Sequence, residues 1–179
     1  MKYLTKATLR AAGRAIIATV RSYKSDGAPR SERGLDPVLY AYLLACGLDV
    51  RRQTQVRVKG KKVRIDFETR GSNPAFIEWA VRPPMGGRQL SGAPNAKELE
   101  KLSRIPNVRK RTGQYRHASR SRYLLLVDLT IGASQQLLID PTQAEYKAVR
   151  LGPGKFVRES VTVVYEHEAA SFSFRWKAK

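Results

Sequence analysis

Apolar side chains recur at helical spacing over residues 4–23. Leu9, Ala12, Ile16, Val20 and Tyr23 fall on one face, and Arg10, Arg14 and Arg21 on another. The pattern predicts an amphipathic helix. SDGAPRSERG then reads as a polar linker. Asp36-Pro37 predicts a helix start, with Asp as N-cap and Pro in the first helical position. That helix runs through VLYAYLLAC and stops at Gly47. Three strands follow, over residues 49–58, 62–69 and 75–82, separated by turns at Lys59-Gly60-Lys61 and at GSNP. Period-two alternation puts Val63, Ile65 and Phe67 opposite Lys62, Arg64, Asp66 and Glu68. In the third strand it puts Ile77, Trp79 and Val81 opposite Phe76, Glu78, Ala80 and Arg82. A helix from Ala96 to Arg104 ends before Pro106. RYLLLVDLT, residues 122–130, is an apolar run short enough for a buried strand. QLLID, SVTVVYEH and SFSFRWK read as further strands, with turns at Asp140-Pro141 and Gly152-Pro153-Gly154.

This order predicts an α/β fold of the α+β kind. A mixed central sheet is flanked by helices, in an αβββαβ core with extra C-terminal strands, and it is not a doubly wound nucleotide fold. Residues 1–34 are expected to form a basic N-terminal helix and linker appended to a single domain, residues 35–179. The length of 179 residues suits one such domain.

Charge changes the picture most. Lys plus Arg number 34 and Asp plus Glu 15, a formal net charge of +19. Such an imbalance points to a polyanionic partner, most simply nucleic acid. The stretch 104–122 carries Arg109, Lys110, Arg111, Arg116, Arg120 and Arg122, with Tyr115 and Tyr123 among them. Residues of this kind neutralise phosphates, and tyrosines stack on unpaired bases. Arg51, Arg52, Lys59, Lys61 and Lys62 form a second basic edge; a solvated surface is the plainer reading of either set.

Other chemistries recede. Cys46 is the lone cysteine and reads as core filling in a reducing compartment. One Cys and two His build neither an internal disulfide nor a Cys/His zinc cluster. His117 and His167 are not spaced as ligands or as a triad. GPGK at 152–155 is too short for a phosphate loop and reads as a turn. No apolar run has the length of a membrane span, and Arg14 interrupts the N-terminal apolar segment, which is a poor signal-peptide core. The acid-free composition of residues 1–25 is also that of a transit peptide. The expected location is intracellular, cytoplasmic or nucleoid-associated.

Asp66 and Glu78 stand mid-strand between apolar residues. If their strands pair as a hairpin, same-face residues lie within about 5 Å. Two carboxylates so close repel unless a cation intervenes. Mg²⁺ suits such a pair, polarising a phosphodiester and acidifying water. The competing arrangement pairs each acid with an arginine such as Arg57, Arg64 or Arg82.

IDF on one strand and FIEWA on the next, followed by a helix and RYLLLVDLT, resemble the PD-(D/E)xK nuclease superfamily, whose core is that of restriction endonucleases. The resemblance covers about residues 35–130. It implies that Asp66 is the first metal-binding acid and Glu78 the acid of the (D/E)xK pair, with Mg²⁺ as cofactor. Glu32 lies near the place of an acid found by the family's first helix, although it precedes Asp36-Pro37. Ala80 occupies the place of the motif lysine. Arg64, which shares the face of Asp66, and Arg82, which shares that of Glu78, are the catalytic replacements in charge, although arginine does not give up its proton. Gln55 is a further polar candidate. The expected function is therefore a divalent-metal-dependent DNA endonuclease or a divergent relative. The alternative is an inactive DNA- or RNA-binding subunit of a larger nucleoprotein complex, or an RNA-assembly protein of unrelated fold. DNA is favoured over RNA as partner, without a membrane, and with a partner protein or a second copy of the chain admitted.

Overall fold

The computed structural model describes residues 3–23, 31–58, 60–71, 73–84, 92–105, 120–131 and 159–176. QLLID, GPGK, His117, Lys59, Arg109, Lys110, Arg111, Tyr115 and Arg116 lie outside the described residues.

Helices α1 (Lys6–Ser22) and α2 (Glu32–Ala45) precede strands β1 (Val50–Val58), β2 (Lys61–Thr69) and β3 (Ala75–Arg82). Helix α3 (Gly92–Ser103), strand β4 (Ser121–Asp128), β5 (Val161–Glu166) and β6 (Ser171–Trp176) follow. The six strands form one mixed sheet in sequence order. β3, β4 and β5 run parallel, and the remaining pairs are antiparallel. A parallel pair needs a crossover, and α3 supplies it between β3 and β4.

All eight residues of β3 are buried, because both faces of the sheet are covered. One apolar layer joins Ile77, Trp79 and Val81 to Leu9, Ile16 and Leu39 of α1 and α2. The other joins Phe76, Ala80, Leu124 and Leu126 to Leu99 and Leu102 of α3. The fold is thus an α+β sandwich of three layers.

The structure corrects the expectation that the first helix is an appended arm. Thr5 caps α1, its Oγ1 accepting the Thr8 amide at 3.1 Å. Leu9, Ala12, Ile16, Ile17 and Val20 are buried against the sheet, whereas Tyr23 is exposed. Gly13 lets the helix approach β5 so closely that a Cβ would stand 2.8 Å from Glu166 Cγ. Glu166 is fully buried and lies 3.2 Å from Arg10 Nε and 3.4 Å from Arg14 Nε.

α2 begins five residues before the expected start, and the boundary drawn after residue 34 falls inside it. Ser31 is the cap, its Oγ accepting the Gly34 amide at 3.2 Å. Asp36 is not available as a cap. Its carboxylate accepts Trp79 Nε1 at 2.8 Å and Arg52 at 2.8 Å, so it ties α2 to β3 and β1. Pro37 then lies within the helix, where it removes one i→i−4 bond.

β2 does not keep one face. Ile65 packs in the α3 layer, yet Phe67 packs in the α1–α2 layer. The change of side occurs at Asp66. Opposite it on β1, Gln53 adopts φ 52°, the one non-glycine residue with positive φ among those described. The ladder to β3 runs from Thr69↔Ala75 to Phe67↔Ile77 and stops there. The outer half of the β1–β2 hairpin therefore bends away from β3, opening a fork at Asp66.

Candidate metal and phosphodiester site

Continuing the β2–β3 register by one residue places Asp66 opposite Glu78. At the fork Asp66 Oδ2 accepts the Trp79 amide at 3.2 Å, replacing the ladder bond that the departing strand no longer makes. One acid is thus fixed by the backbone of the strand that carries the other. α2 brings Glu32 to the same place, and α3 brings Glu98 and Lys101 from the opposite layer.

Lys101 is the residue that sequence reasoning missed. Its Nζ lies 2.7 Å from Glu78 Oε1, and it also pairs with Glu98 one turn earlier on α3. Glu78 is buried, and its Oε1 has the ammonium beside it without hydrogen-bond alignment. Ala80, which stands at the motif lysine's position, is packed in the apolar layer beneath α3. The cation at this site is therefore delivered by a helix rather than by the strand. The only signal in the sequence is Glu98-x-x-Lys101 on a short helix after FIEWA, and that spacing is common on solvated helices.

One ammonium faces several acids. Burial, and then the charge of Asp66, pushes the Glu78 carboxyl up to about 10, against the opposing pull of Lys101. Glu32 is raised to about 7 by burial and by Asp66, Asp36 and Glu98, but the residue is exposed at the surface, so solvent moderates the effect. Lys101 is raised by Glu78 and Glu98 despite its own desolvation. Glu78 and Glu32 thus hold protons above the ordinary carboxyl range first because burial disfavours their charged form, and then because Lys101 is one cation among several neighbouring acids. Such a cluster has the oxygen donors and the charge deficit that suit a hard divalent cation. Among the described residues no group of three or more His, Cys, Asp or Glu is arranged as a ready cage. Mg²⁺ does not require one, because it uses one or two carboxylates together with substrate phosphates. The carboxylates of Asp66 and Glu78 are of a kind that fits such an ion.

The other expected site residues are dispersed. Arg64 is exposed, two residues before Asp66 on β2. Arg82 is buried, 3.7 Å from Asp128 Oδ2 at the far end of β3, and so belongs to a different network that includes Tyr165. It is not a replacement for the motif lysine. Arg52 is spent on Asp36 and stacks over Tyr40. Arg120 lies 3.3 Å from Glu68 and over the Phe76 ring. Arg122 is buried, donating to the carbonyls of Ile105 and Arg120 at 2.7 Å each. Of the arginines expected to contact nucleic acid, Arg52, Arg120 and Arg122 each meet a carboxylate or carbonyl within the fold, Arg52 remaining exposed and Arg122 buried. Arg51, Lys61 and Lys62 are exposed. His167 is buried, its Nδ1 accepting the Ala169 amide at 3.0 Å. Cys46 is half-buried at the end of α2.

The fork opens beside a groove of about 420 Å³ between the hairpin and α3, lined by Val58, Lys61, Val63, Lys97, Lys101 and Arg104 among others. No described helix is long and apolar enough to cross a membrane. No protein-family model matches the chain, and neither a curated protein nor a solved structure matches it.

Proposed function

We propose that this chain is a divalent-metal-dependent phosphodiesterase that cleaves DNA. The observation that carries the reading is Lys101 at 2.7 Å from the buried Glu78, across the fork from Asp66. It answers the absence of a lysine at Ala80, which had favoured an inactive binding subunit. Asp66 and Glu78 would hold the ion, which supplies charge neutralisation at the phosphodiester and acidifies water when bound.

The chain's own groups do the rest. The Trp79 amide holds Asp66 in place, so its free oxygen keeps one direction. Lys101 presents a compact ammonium to charge developing on the phosphate and donates to an attacking water, the roles a motif lysine fills. Glu98 steadies that ammonium from the same helix. The excess of +19 charge favours association with a polyanion. The test is hydrolysis of labelled DNA with Mg²⁺ or Mn²⁺, and its loss in Asp66→Asn.

A further inference from the structure

Most described arginines are neutralised within the fold: Arg10 and Arg14 by Glu166, Arg52 by Asp36, Arg82 by Asp128 and Arg120 by Glu68. Among the exposed cations without an ion pair in the described residues, Arg57, Lys62 and Arg64 stand together on the outer half of the β1–β2 hairpin. Arg57 pairs across the ladder with Lys62, and Gln55 with Arg64. All four are exposed, and among the described residues no acid meets Arg57, Lys62 or Arg64. The opposite side of the same strands carries Val56, Val58, Val63 and Ile65, which pack in the α3 layer. Packing therefore fixes the basic side outward. Like charges directly opposite one another on a ladder destabilise it.

From this we propose that the outer face of the bent hairpin, the side turned away from α3, is a docking surface for the sugar–phosphate backbone of duplex DNA beside the fork at Asp66. Arg64 and Lys62 precede Asp66 by two and four residues along β2. The face offers no aromatic ring for stacking, and its polar groups are those that grip phosphates. It therefore contributes affinity and position but not sequence preference. The inference rests on the nucleic-acid reading above, yet it fails separately.

The experiment measures binding of a short labelled duplex as a function of salt, for the wild type and for the triple variant Arg57→Gln, Lys62→Gln, Arg64→Gln. A control triple variant, Lys6→Gln, Arg70→Gln, Arg175→Gln, removes equal charge from exposed positions elsewhere. Three lost phosphate contacts lower the logarithmic salt slope by about 2.7, or about 40-fold in affinity ratio across a fourfold salt increase. The control variant is expected to keep a slope close to the wild type. A hairpin variant that matches its control overturns the docking surface while leaving DNA binding standing. A wild type that binds no duplex DNA, or binds RNA alone, overturns both readings. Photo-crosslinking guards against a variant that misfolds. A benzophenone amino acid in place of Gln55 in the otherwise native chain is expected to capture the duplex, and one in place of exposed Leu44 is not. Equal capture at the two positions overturns the proposal.

Discussion

Replacing Gly13 by Ala gives a result whose sign separates two pictures of α1. Gly13 has no positive φ, so it is not there for backbone freedom. On a helix that merely lies in solvent, Gly→Ala stabilises by about 1 kcal/mol. Here the new Cβ would stand 2.8 Å from Glu166 Cγ and 2.9 Å from Glu166 Cβ. Those atoms cannot swing aside cheaply. The Glu166 carboxylate is held by Arg10, Arg14 and the Ser171 hydroxyl, the last at 2.6 Å. Overpacking of this kind costs about 1–3 kcal/mol. Loosening one charge-assisted hydrogen bond costs about 1.5–3 kcal/mol more. Set against the propensity gain, the net destabilisation is about 3 kcal/mol, a fall in melting temperature of about 6–12 °C for a domain of this size. Urea and thermal unfolding of Gly13→Ala measure it directly. A variant as stable as the wild type, or more stable, refutes the close docking of α1 on β5.

Deleting residues 1–23 should abolish cooperative unfolding, because Leu9, Ile16 and Val20 belong to the core; a sharp transition in the truncated chain would restore the arm. Ser31→Ala should cost about 1 kcal/mol through loss of the α2 cap, read by denaturant titration. Trp79→Phe removes the buried donor to Asp36 and should cost about 1–3 kcal/mol, with Arg52→Ala costing less because that guanidinium is partly exposed. Glu32 and Glu78 bind protons more tightly folded than unfolded, so the metal-free protein binds the more protons in its native state. Its stability should therefore fall as pH rises from about 4.5 through 7 and beyond, and Asp66→Asn should flatten that slope in chelator. A metal-free melting temperature that rises between pH 5 and 8 would contradict the under-compensated cluster.

What the sequence made legible follows from how locally each feature is determined. β3 was readable to the residue because AFIEWAVR is rich in strand-forming residues and bounded by Pro74 and Pro83. The αβββαβ order was readable because each element has its own period. The start of α2 was not. Asp36-Pro37 is a strong local cap signal, but Trp79 and Arg52, distant in sequence, claim the carboxylate. The switch of faces at Asp66 escaped period-two reasoning, since a strand that bends breaks the alternation without changing composition. Asp66 and Glu78 were found as a pair because register alone opposes them. Lys101 was not found, because its approach to Glu78 depends on where α3 crosses the sheet. Arg52, Arg120 and Arg122 looked like free cations for the same reason: their partners are set by tertiary packing.

The most direct measurement is cleavage of duplex DNA by the wild type, Asp66→Asn and Lys101→Met, each with Mg²⁺, with Mn²⁺ and with chelator, with DNA binding measured on the same samples. The account predicts metal-dependent cleavage by the wild type. It predicts a loss of about 100-fold or more in both variants, the scale of removing one group that stabilises developing charge, with binding retained. Wild-type protein that binds the duplex and cuts it with neither metal, or Lys101→Met that cuts at the wild-type rate, contradicts the assignment of Lys101 and the acid fork as a phosphodiesterase centre.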